Sequence, residues 1–372
     1  MAEFNEHDGR GGRERGRGGR DMRRPNRDEQ REERRREAAR HTGLMTAAFG
    51  REPDEAIENA RIYEEGEGRA LLWGAEAAAA ARVAKAAAEM AEADAEGAQA
   101  GNEEACEAAE IAEEAAEAAE EAADPDGAAG AAPTATETTV KVVTSFAPEA
   151  LYRDATGKTM IVDPGAFTRP GGAYEDGAFG PEQILCSERN LYPILVAHKR
   201  DFYDKNRDYR RGSLFTDRAL YVPEVLFSRG GDVRRADVLV IAEPIRAYAL
   251  ENHRSERECD KALADRIETI FRVAAANGAE TLIMGAFGCG RNGYPVEQVI
   301  ELIQNWIAEH PGAVPNVVFA VPRMHADAFR EAFGAPEPER PAPVVVAEGE
   351  NDREGDDEDW RNVELPEGVT LR

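Results

Sequence analysis

The residues best placed to do chemistry in this sequence lie in two glycine-rich loops, each directly after an apolar run that reads as a strand. The first is VDPGAFTRPGGA (162–173), which leads through YEDGAFG (174–180) into a helix beginning near Pro181. The second is MGAFGCGRNGYP (284–295), again just ahead of a helical pattern. Glycine reaches positive φ without a Cβ clash and lets backbone N–H groups come close to an anion. A helix N-terminus just beyond adds its dipole, so strand, glycine loop and helix together make a diphosphate cradle. One such loop is as readily a tight turn. Two at the C-terminal ends of strands in one sheet point to a nucleotide-like ligand in a shared crevice. Neither loop spells GxGxxG or GxxxxGK[ST], which disfavours a Rossmann dinucleotide site and a P-loop.

Other candidate groups carry less by themselves. Glu182 stands where a helix N-terminus favours an acid, and that role competes with a ligand contact. Arg291 is either a phosphate contact or a solvated loop residue. The four cysteines, Cys106, Cys186, Cys259 and Cys289, form no CxxC pair and have no histidine at metal-ligand spacing, so no disulfide scaffold, metal site or cofactor is expected. Cys289 reads as a small buried residue, since no histidine near it in sequence would activate a thiol. Tyr192 reads as core.

The elements that must hold these loops are legible from texture. TTVKVV (138–143), KTMIVD (158–163), ALYVPEVLF (219–227), ADVLVIAEP (236–244), ETLIMGAF (280–287) and NVVFAVP (316–322) are short apolar or β-branched runs. Helical patterns at 181–200, 257–277, 294–309 and 323–333 alternate with them. Continuous apolar strands alternating with helices indicate an α/β body with a mostly parallel sheet covered on both faces.

Length and charge confine that body. The chain has 372 residues and a formal net charge of −27, with aromatics at only 7%, which is poor for one core spanning the whole chain. Residues 75–126 hold 25 Ala and 16 acids but lack a Leu, Ile or Val stripe, so they read as a solvent-facing helical insertion rather than a packed element. The expected organisation is a disordered Arg/Gly arm (1–26), accessory N-terminal helices (27–66, with 27–49 one helix), an acidic insertion and linker (67–137), the α/β domain (138–334) and a disordered acidic tail (335–372). So acidic a chain is repelled by a phosphate backbone, and no sequence-specific nucleic-acid binding is expected. With no apolar leader in the first 40 residues and no run of about 18 apolar residues, the expectation is a cytoplasmic chain without a membrane partner.

Taken together, PGGA, a seven-residue spacer, PEQILCSERNLYPIL, LIMGAFGCGRNGYP and VVFAVP resemble the microbial-type poly(ADP-ribose) glycohydrolase (PARG) catalytic domain, a macrodomain-like family. The resemblance implies a mixed, mostly parallel sheet flanked by helices, and ADP-ribose or an ADP-ribosylated macromolecule as partner. It also implies site residues. The family's triple glycine corresponds to Gly171, Gly172 and Ala173, and its Gly-Cys-Gly phosphate turn to Gly288, Cys289 and Gly290. Arg291, Asn292 and Gly293 stand where the family has a residue packing over the ligand ribose, and Asp163 stands where it has an asparagine. The family's Gln-Glu-Glu becomes Pro181, Glu182 and Gln183, with the register fixed by the ungapped helix after it. The seat of the family's catalytic acid/base therefore falls on Gln183.

That exchange bears on activity. Glycosidic cleavage needs a group that protonates the leaving oxygen and then activates water. A carboxamide hydrogen-bonds but does not exchange a proton near neutral pH. Glu182, on a neighbouring helix position turned by about 100°, does not simply replace it. The expectation is an ADP-ribose-binding module, with the enzyme question left open. One alternative is a working glycohydrolase that uses Glu182; another is a non-enzymatic interaction protein acting through its acidic segments.

Overall fold

The computed structural model describes residues 26–49, 52–74, 137–188, 190–229 and 231–334. The expected arm before residue 26, the acidic run 75–136 and the tail after 334 lie outside the described residues.

All six apolar runs form strands: β2 Thr139–Val143, β3 Thr159–Asp163, β4 Ala219–Arg229, β5 Asp232–Ile241, β6 Thr281–Met284 and β7 Asn316–Ala320. A short strand absent from the sequence reading, β1 Arg61–Tyr63, joins them, and the sheet order is β1-β4-β5-β3-β6-β7-β2. From β5 to β2 every neighbour is parallel, while β1/β4 and β4/β5 are antiparallel. The expected mixed, mostly parallel sheet is what forms.

Every residue of β3 is buried, because the sheet is covered on both faces. Side chains alternate. Met160 and Val162 join Leu239, Leu282, Met284, Val317 and Phe319 in one core, against α7 Arg246–Glu251, α8 Glu256–Ala276, α9 Val296–Glu309 and α10 Arg323–Phe333. Ile161 joins Val238, Val240, Ile283 and Val318 in the other, against α2 Glu52–Glu58, α4 Ala147–Arg153, α5 Pro181–Ser187 and α6 Leu191–Ala197. A full capping box between Ser255 and Glu258 fixes where α8 begins.

One expected element is corrected. The pattern at 181–200 is not a single helix: α5 ends at Ser187, α6 restarts at Leu191, and Lys199–Tyr203 winds as a π-helical turn. Pro193 is the cause. Proline has no N–H to donate in a helix interior but is tolerated in a first turn, which is where the restart puts it. Tyr203 closes the π-helical turn and is buried in the core on this face of the sheet.

Helix α1, Arg27–Phe49, forms over the expected residues and lies along the first glycine loop. Arg31 and Arg34 donate through Nε to the carbonyls of Asp176 and Gly177 at 2.9 and 3.0 Å. A Cβ on Gly177 would sit 2.1 Å from the Arg31 carbonyl oxygen, so only glycine allows this approach.

Residues 61–74 are stitched to the body by charge. Arg69, in α3 Glu67–Ala70, pairs with Asp217 at 2.6 Å and with Asp265 at 3.2 Å; Gly66 N–H also donates to Asp217. Buried Arg218 grips Glu64 with Nε and Nη2 at 2.6 and 3.0 Å. Because the Asp217 side chain is only 2% exposed, losing its cation leaves a poorly solvated charge. Arg69→Ala is therefore expected to destabilise the protein by roughly 1–3 kcal/mol, read as a fall in thermal melting temperature. An unchanged melting temperature would show that this segment is not tied through Arg69.

Candidate functional site

The C-terminal ends of β3, β5 and β6 open at the same edge of the sheet, and both glycine loops leave from there. In the first loop Gly171, Gly172 and Ala173 have φ of 63°, 51° and 70°, three left-handed residues in succession. Ala173 holds this conformation with a side chain, at a cost of order 1–2 kcal/mol. The glycines answer to packing as well. A Cβ on Gly171 would lie 2.7 Å from the Tyr192 ring, and one on Gly172 would lie 2.3 Å from Glu182 Oε2. Tyr192 meanwhile stacks at a tilt on Tyr174, centroids 5.2 Å apart, and donates to Glu175.

The first turn of α5 presses Glu182 and Gln183 onto this loop. The side-chain amide of Gln183 donates to the carbonyls of Gly171 and Gly172 at 2.9 and 3.1 Å. Glu182 is 4% exposed; its Oε2 accepts from the Ala166 N–H at 3.0 Å, and its Oε1 has no hydrogen-bond partner among the described residues. Burial first, and Asp163 second, push its carboxyl well above the usual range, against the weaker pull of the Ala166 and Gly171 amides.

Asp163 closes β3 fully buried, with neither carboxylate oxygen hydrogen-bonded among the described residues. Burial raises its pKa, and the charge of Glu243 adds to the rise. Two groups join that the sequence reading missed. Tyr203 is fully buried, its hydroxyl likewise lacks a partner, and Glu182 and Asp163 add to the burial that raises its pKa. Glu243 follows β5. Its Oε1 accepts from the Gly288 N–H at 2.7 Å, and its Oε2 from the Asn292 side-chain amide. Part of Glu243 reaches solvent, yet its carboxyl is enclosed and burial pushes the pKa up to about 7, with Arg291 opposing. Tyr203 lies in FYDKNRD (202–208), a stretch similar to the family in which the tyrosine itself was given no role, and Glu243 lies in the tail of a strand pattern.

The second loop turns at Gly288, with φ of 78°, and closes on itself: Cys289 N–H donates to Ala286 O, Gly293 N–H to Gly290 O and Tyr294 N–H to Gly288 O. Gly290 and Arg291 are exposed, and a Cβ on Gly293 would lie 3.2 Å from Ala247. Burial raises the Cys289 thiol to about 12, so it is not a thiolate nucleophile at neutral pH. The structure thus gathers Gly171, Gly172, Glu182 and Gln183 in one contact set. It sets Glu243, Gly288 and Asn292 in a second, with Asp163 within electrostatic reach of both glutamates. Cys289, Arg291 and Gly293 stand apart from that set. Among the described residues no group of three or more His, Cys, Asp or Glu side chains is arranged to hold a metal ion, and no helix is long and apolar enough to cross a membrane.

The raised carboxyls link stability to pH. Their folded pKa values lie above the value of about 4 for an unfolded chain, so the stability they bring is complete below about pH 4 and is lost as pH climbs through about 7. Asp163→Asn removes one such group. Its melting temperature is expected to gain on that of the wild type steadily from about pH 5 to about pH 8; a difference that stays constant with pH would contradict a buried, proton-holding Asp163. A second expectation concerns Gln183→Glu, which sets a carboxylate against two carbonyl oxygens. That variant should melt several degrees below the wild type near pH 8 and recover toward pH 5, and equal melting at both would rule out the staple.

The comparisons with known proteins agree with this fold. Residues 46–230 match the family model described as microbial-type PARG, catalytic domain. That span contains Asp163, the first loop, Glu182, Gln183 and Tyr203, and stops before Glu243 and the second loop. The X-ray structure of poly(ADP-ribose) glycohydrolase from Thermomonospora curvata superposes with a TM-score of 0.55 at 21% identity, covering 82% of this chain and 98% of that chain. The same enzyme bound to the inhibitor ADP-HPD gives 0.54 at 20% identity, with the same coverage of 82% and 98%. The enzyme from Deinococcus radiodurans in complex with ADP-ribose gives 0.52 at 18% identity, covering 76% of this chain and 97% of that chain. At such identities the likeness is one of fold. No curated protein matches the chain.

Proposed function

Through residues 46–230 the chain is related to the microbial-type PARG catalytic domain family, and from that relation we propose that it recognises ADP-ribose or an ADP-ribosylated chain end, with the family's proton carrier replaced. In this reading the left-handed turn at Gly171–Ala173 receives the diphosphate, Glu182 and Asp163 face the distal ribose, and the edge of the second loop at Gly288–Gly293 borders the ligand. The fold shared with a glycohydrolase solved with ADP-ribose supports the ligand class. The observation that carries the reading is Gln183: its amide is committed to two loop carbonyls, so it holds the cradle in shape and supplies no proton. Loss of general acid/base help alone slows a reaction by about 10²–10⁴. Calorimetric titration with ADP-ribose should give saturable heat at micromolar to millimolar ligand. Absence of both heat and a thermal shift at millimolar ADP-ribose would refute the proposal.

One observation favours a second reading, hydrolysis of the ribose–ribose bond with Glu182 as acid. Glu182 is buried, held toward its protonated form and keeps one oxygen unpartnered beside Asp163, as a general acid requires. Incubation with poly(ADP-ribose) separates the two. The binding reading expects no release of ADP-ribose above a Glu182→Gln control. Turnover that disappears in Glu182→Gln but survives Gln183→Ala would establish the enzyme instead.

A further inference from the structure

The second loop already holds an acid, and the protein supplies it. Glu243 accepts the Gly288 N–H at 2.7 Å and the Asn292 amide. A carboxylate on a backbone N–H at a glycine turn is the contact a phosphate oxygen would make there. Its backbone is not free to swing away. Arg266, 2% exposed, donates to Ala242 O at 3.3 Å and to Leu214 O at 2.6 Å, which ties the residue before Glu243 to the interior. Pro244 follows it and fixes its own φ. The amides of Cys289 and Gly293 are spent inside the loop. A ligand phosphate approaching Gly288 therefore has to dislodge a carboxylate by side-chain rotation and meets its charge on the way.

We propose that Glu243 sets the affinity for phosphate at this loop: a carboxyl group of the protein, seated on the second loop, competes with ligand phosphate for the Gly288 amide and weakens the binding of a diphosphate there. The inference rests on the reading of the site as one for ADP-ribose, and it adds that the first loop carries the phosphate in the unmodified protein. Arg291 on the loop is the nearby positive charge.

The test is titration of the full chain with ADP-ribose and, separately, with ADP, for the wild type, Glu243→Gln and Glu243→Ala. Glu243→Gln keeps the shape and an acceptor for Gly288 but removes the charge; Glu243→Ala removes both. Each variant is expected to bind both ligands at least tenfold more tightly than the wild type. Should Glu243→Ala fail to fold, the charge-only variant decides. Wild-type binding that is unchanged or weakened in the folded variants overturns the inference and leaves the ADP-ribose reading intact. Absence of binding in all three proteins overturns that reading, and this inference with it.

Discussion

The side-chain amide of Gln183 donates to the carbonyl oxygens of Gly171 and Gly172, and these two bonds constrain everything around them. They hold a run of three left-handed residues that ends in Ala173, a residue that does not favour that conformation. They fix the first turn of α5 against the loop, which in turn sets Glu182 into the interior. An acid in the same seat has at most one proton to offer two carbonyls, and none once ionised. The exchange of acid for amide is thus a change in what the loop can rest on as well as a loss of proton chemistry.

Around that staple the rim collects carboxyls that water does not reach freely. Asp163, Glu182 and Glu243 all have pKa values raised by burial; the charge of Glu243 adds to the rise at Asp163, and that of Asp163 to the rise at Glu182. The unpartnered hydroxyl of Tyr203 belongs to the same environment. Groups perturbed by burial and by one another in this way gather at functional sites more often than elsewhere. Here they sit at the carboxyl edge of a parallel sheet, where open α/β folds bind their ligands. On the proposed reading, a diphosphate at this edge is met by oriented amides and by acids held toward their protonated forms.

Much of the scaffold was legible because its signals are local. The six apolar runs became β2 to β7, and α1 formed over the residues where its Glu/Arg spacing suggested a helix. Strand β1 escaped notice because three residues, Arg61–Tyr63, give no period; the strand exists only through its pairing with Ala219–Tyr221 of β4. The restart after Ser187 was hidden because Leu185 and Tyr192 keep helical spacing seven residues apart, although Pro193 was the sign. At the site, both glycine loops and the Glu182–Gln183 pair were readable from residue type and spacing. Glu243 and Tyr203 were not, because what makes them matter is their approach to Gly288 and to Glu182 across the fold. No property of their sequence neighbours announces that.

Whether these glycine turns receive a diphosphate is decided by amide NMR of the full chain with glycine-selective ¹⁵N labelling, titrated with ADP-ribose. Saturable shifts of the Gly171 and Gly172 resonances are expected, with Gly288 responding as Glu243 yields or holds its place, while remote glycines such as Gly68 and Gly278 stay put. Shifts confined to glycines away from the β3 and β6 ends, or none at saturating ligand, would contradict it.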